Sequence, residues 1–123
     1  MTTIDELLAE ARAKLDRVRA EDLSDEVARG AILIDARPIE ERQRDGDLEG
    51  AIVIDRNVLE WRLAPSSEHR VVDVEAEQRV IVVCTDGYQS SLAAANLQRL
   101  GLLGATDLIG GYRALIGEEV EGG

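Results

Sequence analysis

Short apolar runs alternate with segments of helical periodicity along this chain. Three runs have the β-branched content and length of strands buried on both faces, at 31–35, 51–54 and 80–83. A fourth strand is predicted at 106–109, before the Gly110–Gly111 turn. Strands of this kind, separated by helices, indicate an α/β fold.

The segments between the strands favour helices. Thr3 and Glu6 have capping-box spacing, and apolar residues then recur at helical intervals from Ile4 to Val18. The glycines Gly30 and Gly101 are typical of the residue that follows a helix. Further helices are predicted at 20–29, from Pro38 to about Glu41, at 89–100 and at 112–116. The expected architecture is a mainly parallel sheet with helices on both faces and an extra N-terminal helix.

This pattern divides the chain into three parts. Residues 1–19 form an N-terminal helical extension that could contact a partner, residues 20–117 form the domain, and residues 118–123 form a flexible tail. No apolar run approaches the roughly 20 residues needed to cross a bilayer. The N-terminus lacks the basic and apolar parts of a secretory signal, so a cytoplasmic protein is expected.

Composition narrows the function. With 14 basic and 25 acidic residues, the net charge of −11 argues against nucleic acid and anionic membranes as partners. One cysteine and one histidine cannot form an ordinary zinc site, and no cofactor is predicted. Aromatic residues are few, and Trp61 and Tyr112 are expected to pack inside.

The single cysteine, Cys84, directly follows the strand at 80–83 and precedes the helix at 89–100. In parallel sheets, ligands bind beyond the carboxyl ends of the strands. A loop that turns back at Gly87 would aim backbone N–H groups and a helix N-terminus at the sulfur, which favours a thiolate. The alternative is a buried core cysteine, since free cysteine is among the most buried residues.

Three segments resemble the rhodanese family of single-domain sulfurtransferases. The pattern Cys84-x-x-Gly87-x-x-Ser90 after Val80–Val83 is similar to the family's active-site loop. The segments at 33–51 and 108–115 are similar to its early D-x-R and late Gly-Gly-aromatic patterns. The match extends over about 20–116.

The resemblance implies that Cys84 takes a sulfane sulfur from a donor such as thiosulfate and passes it to a thiol acceptor. The donor could be a small molecule or a protein. Cys84 would be the catalytic residue, and the loop would hold the anion and the persulfide. The predicted loop residues are Thr85, Asp86, Gly87, Tyr88, Gln89 and Ser90.

The chain departs from the family at several positions. Thiosulfate enzymes of the family often carry cations in this loop, whereas Asp86 would repel a dianion, so a persulfide donor is favoured. Arg56 is a candidate substrate-binding residue that could supply the missing cation. Asp35 and Arg37 are interpreted as a structural ion pair, although Arg37 could instead pair with Glu40 or Glu41.

Two alternatives to a sulfurtransferase remain. One is a non-catalytic rhodanese-like binding or regulatory module. The other, a cysteine phosphatase or arsenate reductase, is weaker because phosphoryl transfer uses an arginine fork, and no arginine lies between Cys84 and Ser91.

Overall fold

Four short parallel strands form the centre of the molecule in the computed structural model, which describes residues 1–123. Their order across the sheet is β2-β1-β3-β4. Parallel neighbours need long crossover connections, and these connections carry the helices. The strands are β1 Ile32–Asp35, β2 Ile52–Val53, β3 Val80–Val83 and β4 Ala105–Asp107.

The central strand β3 is completely buried, as its run of Val and Ile predicts. Its side chains alternate between two hydrophobic clusters. Val80 and Val82 point to the face covered by Leu59, Leu63 and Leu97, whereas Ile81 and Val83 point to the face covered by Leu23 and Tyr112. The sheet therefore has one hydrophobic core on each face, and the predicted α/β architecture is confirmed.

Six helices surround the sheet, and α1 packs against α5. Single turns of 3-10 helix precede two of them, at Ala20–Asp22 and Arg56–Val58. No helix is both long and apolar enough to span a membrane. The helices are α1 Ile4–Ala13, α2 Leu23–Ala28, α3 Ile39–Asp45, α4 Leu59–Leu63, α5 Gln89–Arg99 and α6 Gly111–Leu115.

The first helix is shorter than its apolar periodicity predicts. The capping box of Thr3 and Glu6 is present, but α1 ends at Ala13 and Val18 is not helical. Val18 instead lies beside β4, where its N–H donates to the Asp107 carbonyl (2.9 Å) and its carbonyl accepts from the Ile109 N–H (2.8 Å). Unpaired backbone groups at a sheet edge need partners, and this requirement overrides the helical spacing.

Two predictions of burial are wrong. Strand β2 has two residues, Ile52 and Val53, which are 38% and 51% exposed because β2 lies at the sheet edge. Trp61 is 59% exposed rather than packed inside. Helix α4 buries Leu59 and Leu63, which share one face at a spacing of four, so Trp61 is placed on the opposite face.

The C-terminal segment differs from the flexible tail predicted for 118–123. Gly123 is buried against the domain, and the backbone oxygens of Gly122 and Gly123 accept hydrogen bonds from Arg12. Two arginines of the N-terminal extension, Arg12 and Arg17, donate hydrogen bonds to the Gly123 carbonyl. The composition of the tail alone does not reveal these partners.

Candidate active site

Cys84 follows the last residue of β3, at the carboxyl edge of the sheet. Helix α6 fixes its backbone, because the Tyr112 N–H donates to the Cys84 carbonyl (2.8 Å) and the Arg113 N–H donates to the Thr85 carbonyl (3.2 Å). This close approach requires glycine at position 111, where φ is +61° and an added Cβ would lie 2.4 Å from the Cys84 carbonyl oxygen. The start of α6 therefore holds the cysteine in place.

The Cys84 sulfur has two hydrogen-bond partners. The Gly87 N–H donates to Sγ at 3.2 Å, and the thiol faces Oγ of Ser90 at 3.2 Å. Gly87 adopts a φ of +90°, which turns its N–H back toward the sulfur. No other backbone N–H of the loop donates a hydrogen bond to Sγ, and the cysteine is 1% exposed. The sequence predicted several N–H groups aimed at the sulfur, whereas the structure has one such donor in a closed environment.

A buried carboxylate lies behind Ser90. Asp107, at the end of β4, is 0% exposed, and its Oδ2 accepts hydrogen bonds from Ser90 Oγ and Ser91 Oγ, both at 2.7 Å. Nε of Arg17 lies 2.8 Å from Oδ1 and neutralises the charge. The first turn of α5, which carries the two serines, also places its positive dipole end near this carboxylate.

Arg12 and Arg17 connect the N-terminal extension to the Cys84 loop. Each donates to the Gly87 carbonyl, at 3.0 and 3.1 Å, and Nε of Arg12 donates to Ser91 Oγ at 3.0 Å. Burial, and next the like charge of Arg17, lower the pKa of Arg12, while Asp107 opposes this shift. The two arginines therefore tie α1, the loop and the C-terminal segment into one network.

The acidic residue on the outer side of the loop, Asp86, is paired with a cation. Asp86 forms an ion pair with Arg113 (3.1 Å), and Arg113 also binds Glu118 (2.7 Å). Arg113 donates hydrogen bonds to Glu118 and to Asp86, and both raise the pKa of Arg113, the bond to Glu118 having the larger effect. A polar depression of about 390 Å³ opens here, lined by Glu41, Arg44, Asp45, Thr85, Asp86, Arg113 and Glu118.

The remaining predicted site residues have different positions. Tyr88 points away from the sulfur, with its hydroxyl donating to the Glu121 carbonyl and its ring 5.6 Å from the Arg12 guanidinium. Gln89 begins α5, and Thr85 keeps a buried Oγ without a partner. Arg56 does not join the site. It pairs with Glu60 at 2.8 Å, since the two stand four residues apart on one helical face.

A separate depression of about 700 Å³ contains no residue of the Cys84 loop. It lies around Trp61, His69 and Asn96, and its lining includes two serines but no cysteine. The polar depression beside the loop is lined by Thr85 and Asp86 but not by Cys84 itself.

The family model described as a rhodanese-like domain matches residues 19–118. The chain belongs to this family. The resemblance inferred from the Cys84 loop is thereby confirmed, and the matched range includes β1 to β4 and the whole loop. None of the curated proteins matches the chain closely enough to count as a relative.

Three solved structures share the fold of this chain over most of both chains. A protein of unknown function from Rhodopseudomonas palustris, suggested to be a tyrosine phosphatase, is 26% identical with a TM-score of 0.82, covering 98% of this chain and 95% of its own. A human single-domain sulfurtransferase is 27% identical (TM-score 0.67; 84% and 96% covered). A rhodanese homologue from Thermus thermophilus is 25% identical (TM-score 0.60; 80% and 99% covered).

Sequence reasoning missed Asp107, Ser91, Arg12 and Arg17. One signal was available for Asp107, because a charged residue inside an otherwise apolar predicted strand is expensive to bury without partners. Nothing in the sequence identifies which of its 14 basic residues would neutralise it.

Proposed function

We propose that this rhodanese-like domain is a sulfurtransferase that carries sulfur as a persulfide on Cys84. The observation that supports this most is the position of Sγ between the Gly87 N–H and Ser90 Oγ in the family's loop. A hydrogen-bond donor at the sulfur stabilises the negative charge of a thiolate or persulfide. The human relative is a sulfurtransferase by name, which agrees with this chemistry.

The transfer takes place in two displacements. In the first, the Cys84 thiolate attacks the outer sulfur of a persulfide R–S–SH, the S–S bond of the donor breaks, and R–S⁻ leaves with the bonding electron pair. Cys84 then holds the persulfide Cys–S–SH. In the second, an acceptor thiolate attacks that outer sulfur and the Cys84 thiolate leaves, so no external oxidant or reductant is consumed.

The charges beside the loop favour a persulfide over thiosulfate as the donor. The polar depression carries four carboxylates, from Glu41, Asp45, Asp86 and Glu118, against the guanidinium groups of Arg44 and Arg113. Each guanidinium is already paired with a carboxylate. A dianion such as thiosulfate is therefore repelled beside the loop, whereas a donor of lower negative charge is tolerated. The reduced state that the reaction needs also suits a cytoplasmic location.

Intact-mass spectrometry tests the proposal on the full chain. Reduced protein is incubated with thiosulfate, with glutathione persulfide or with inorganic polysulfide, and we expect a gain of one sulfur atom that is largest with the persulfides and reversed by dithiothreitol. Cys84→Ser is the control and gains nothing. If no donor modifies Cys84 while iodoacetamide alkylates it fully, the sulfurtransferase proposal is wrong.

A non-catalytic binding module is the second candidate, and the closed sulfur favours it. Cys84 is 1% exposed, so a donor reaches it only after the loop moves. If the native protein resists both sulfur donors and iodoacetamide, and reacts with both after unfolding in urea, the module is supported and catalysis is excluded. Aryl phosphate hydrolysis measured on the same samples tests the phosphatase alternative, for which the loop offers no arginine.

A further inference from the structure

The sulfur, a hydroxyl and a carboxylate form a continuous series of buried hydrogen bonds at the Cys84 site. Ser90 Oγ lies 3.2 Å from Sγ of Cys84 and 2.7 Å from Oδ2 of Asp107, and all three residues are buried. A serine hydroxyl has a single proton to donate. In this arrangement that proton goes to Asp107, so Ser90 presents only lone pairs to the sulfur.

The direction of these hydrogen bonds decides which form of Cys84 the site prefers. A thiol can donate its proton to the free lone pair of Ser90, which completes the series. A thiolate has no proton to donate and would face a serine oxygen that is already polarised by a carboxylate. The Gly87 N–H would then be the only hydrogen-bond donor to the thiolate, which the buried site separates from water, and the positive charge of Arg12 would act on it only at longer range.

Asp107 can release Ser90 without losing all of its partners. Ser91 donates to the same oxygen at 2.7 Å, and Arg17 binds Oδ1 at 2.8 Å and Oδ2 at 3.3 Å. The carboxylate therefore stays neutralised if the Ser90 hydroxyl turns toward the sulfur. The hydrogen bonds among Cys84, Ser90 and Asp107 therefore have two complete arrangements. The two differ in the ionisation of Cys84 and in the rotation of the Ser90 hydroxyl.

We propose that Asp107, acting through Ser90, keeps the resting Cys84 in its thiol form, and that ionisation of Cys84 requires the Ser90 hydroxyl to turn from Asp107 to the sulfur. Asp107 is then a positioning residue that limits the nucleophile of the proposed sulfurtransferase. This differs from the thiolate that the loop sequence alone suggests. The inference rests on the proposed function only in treating Cys84 as the nucleophile.

Other ionisable groups surround Cys84, and most of them are engaged elsewhere. Asp35 pairs with Arg37, and Asp86 pairs with Arg113. The hydroxyls of Tyr88 and Tyr112 bind backbone carbonyls at 121 and 45. Asp107 is the only carboxylate joined to the sulfur through a single hydroxyl. The ionisable groups on the elements packed around Cys84 are Asp35 and Arg37 on β1, Asp107 on β4, Asp86 and Tyr88 in the loop, Tyr112 and Arg113 on α6, and Arg12 and Arg17 in the N-terminal extension.

The rate of Cys84 alkylation by iodoacetamide, measured against pH on the full chain, tests the proposal without any sulfur donor. The midpoint of the profile gives the pH at which Cys84 ionises. The rate at the alkaline plateau shows how accessible the sulfur is to iodoacetamide. In Asp107→Asn the new amide can donate to Ser90, which frees the serine proton for the sulfur. We expect the midpoint to fall by about one pH unit or more, the size of one hydrogen bond to a charged group. Alkylation at neutral pH rises accordingly.

Matched variants separate this effect from loosened packing. Ser91→Ala removes a buried hydroxyl from the same carboxylate without touching the sulfur, and its midpoint should move less than that of Asp107→Asn. In a Ser90→Ala background, Asp107→Asn should have little further effect. An unchanged midpoint in Asp107→Asn, or an equal shift with and without Ser90, overturns the proposal. A change confined to the plateau also overturns it, because that is loosened packing alone.

A second variant covers the case in which Asp107→Asn does not fold, as judged by circular dichroism. Arg17→Gln removes the cation that neutralises the carboxylate, so Asp107 holds the Ser90 proton more strongly and the midpoint should rise. In Ser90→Ala this rise should be lost. A fall, or the same rise without Ser90, contradicts the proposal. Because no sulfur is transferred in the assay, a protein that accepts no persulfide can still give the expected profile.

Discussion

Arg37 and Asp35 form a fully buried ion pair in which Nε and Nη2 of the arginine lie 3.0 and 2.8 Å from the two carboxylate oxygens. The guanidinium also donates to the Gly46 carbonyl (2.9 Å) and lies 3.8 Å from the centre of the Tyr112 ring. This pair therefore joins β1 to α6, whose first residues hold the backbone of Cys84. The structural role expected for the pair from sequence agrees with this geometry.

Arg37→Met should destabilise the domain by about 3 kcal/mol or more, because it leaves Asp35 charged, buried and unpaired. Urea unfolding followed by circular dichroism measures the change. Arg70→Ala breaks the exposed pair with Asp73 and should leave the unfolding midpoint almost unchanged. If the two variants unfold at the same urea concentration, the buried pair does not have the importance assigned to it.

Gly111→Ala should be far more damaging than an ordinary glycine substitution. An alanine Cβ at 111 would lie 2.4 to 2.6 Å from backbone atoms of Cys84 and Thr85, so the contact between α6 and the loop must open. We expect a loss of about 2 kcal/mol or more in unfolding free energy. Gly101→Ala is the control, since Gly101 also has a positive φ but a Cβ added there would have no neighbouring atom within 4 Å. Equal losses in the two variants would argue against the close approach.

Arg12→Gln should loosen the C-terminal segment and the Cys84 loop together. The variant loses the guanidinium bonds to the carbonyls of Gly87, Gly122 and Gly123. Hydrogen exchange should become faster at 85–91 and at 119–123, while β3 stays protected. Arg19→Gln, which removes an exposed pair with Glu21, should alter neither segment. Faster exchange in only one of the two segments would show that Arg12 does not couple them.

Glu60 should contribute to stability in a pH-dependent way. Burial opposes its ionisation, but hydrogen bonds from Asn96 and Arg56 outweigh burial and lower the pKa of Glu60. A lowered pKa in the folded state means that the contribution is complete above the unfolded value of about 4.3 and is lost as the pH falls through the folded value.

Glu60→Gln should therefore cost about 1 kcal/mol at neutral pH, and much less once the wild-type carboxyl is protonated in acid. Urea unfolding of both proteins at a series of pH values gives the difference. Glu68→Gln, at an exposed position, is the matched control and should show no such trend. A difference that grows as the pH falls would mean that folding raises the pKa of Glu60 instead of lowering it.

The local features of the site were accessible from sequence, and its long-range partners were not. The Val80–Val83 run and the glycine at 87 predict the strand and the turn, because each depends on neighbouring residues. The bond from Ser90 to Asp107 joins residues 17 positions apart, and that from Arg12 to Gly87 joins residues 75 apart. Such pairings depend on how helices and strands pack, so the pattern of the chain cannot specify them.

Burial at the sheet edge shows the same limit. An apolar run such as 51–54 predicts a strand but not its place in the sheet, and β2 is an exposed edge. For Trp61, the deciding factor is which face of α4 packs on the core: Leu59 and Leu63 occupy that face, so Trp61 lies on the opposite one. Hydrophobicity alone gives no information on either point.

The bond between Arg12 and the Gly122 carbonyl joins positions 110 residues apart. Contacts of such separation carry a large loop-closure entropy and form only when the intervening chain is already ordered. We expect the sheet to assemble first and the segments around Cys84 to close last. A refolding chain then passes through a stage with an ordered sheet and an accessible sulfur, and a thiol reagent present during refolding would trap the protein at that stage.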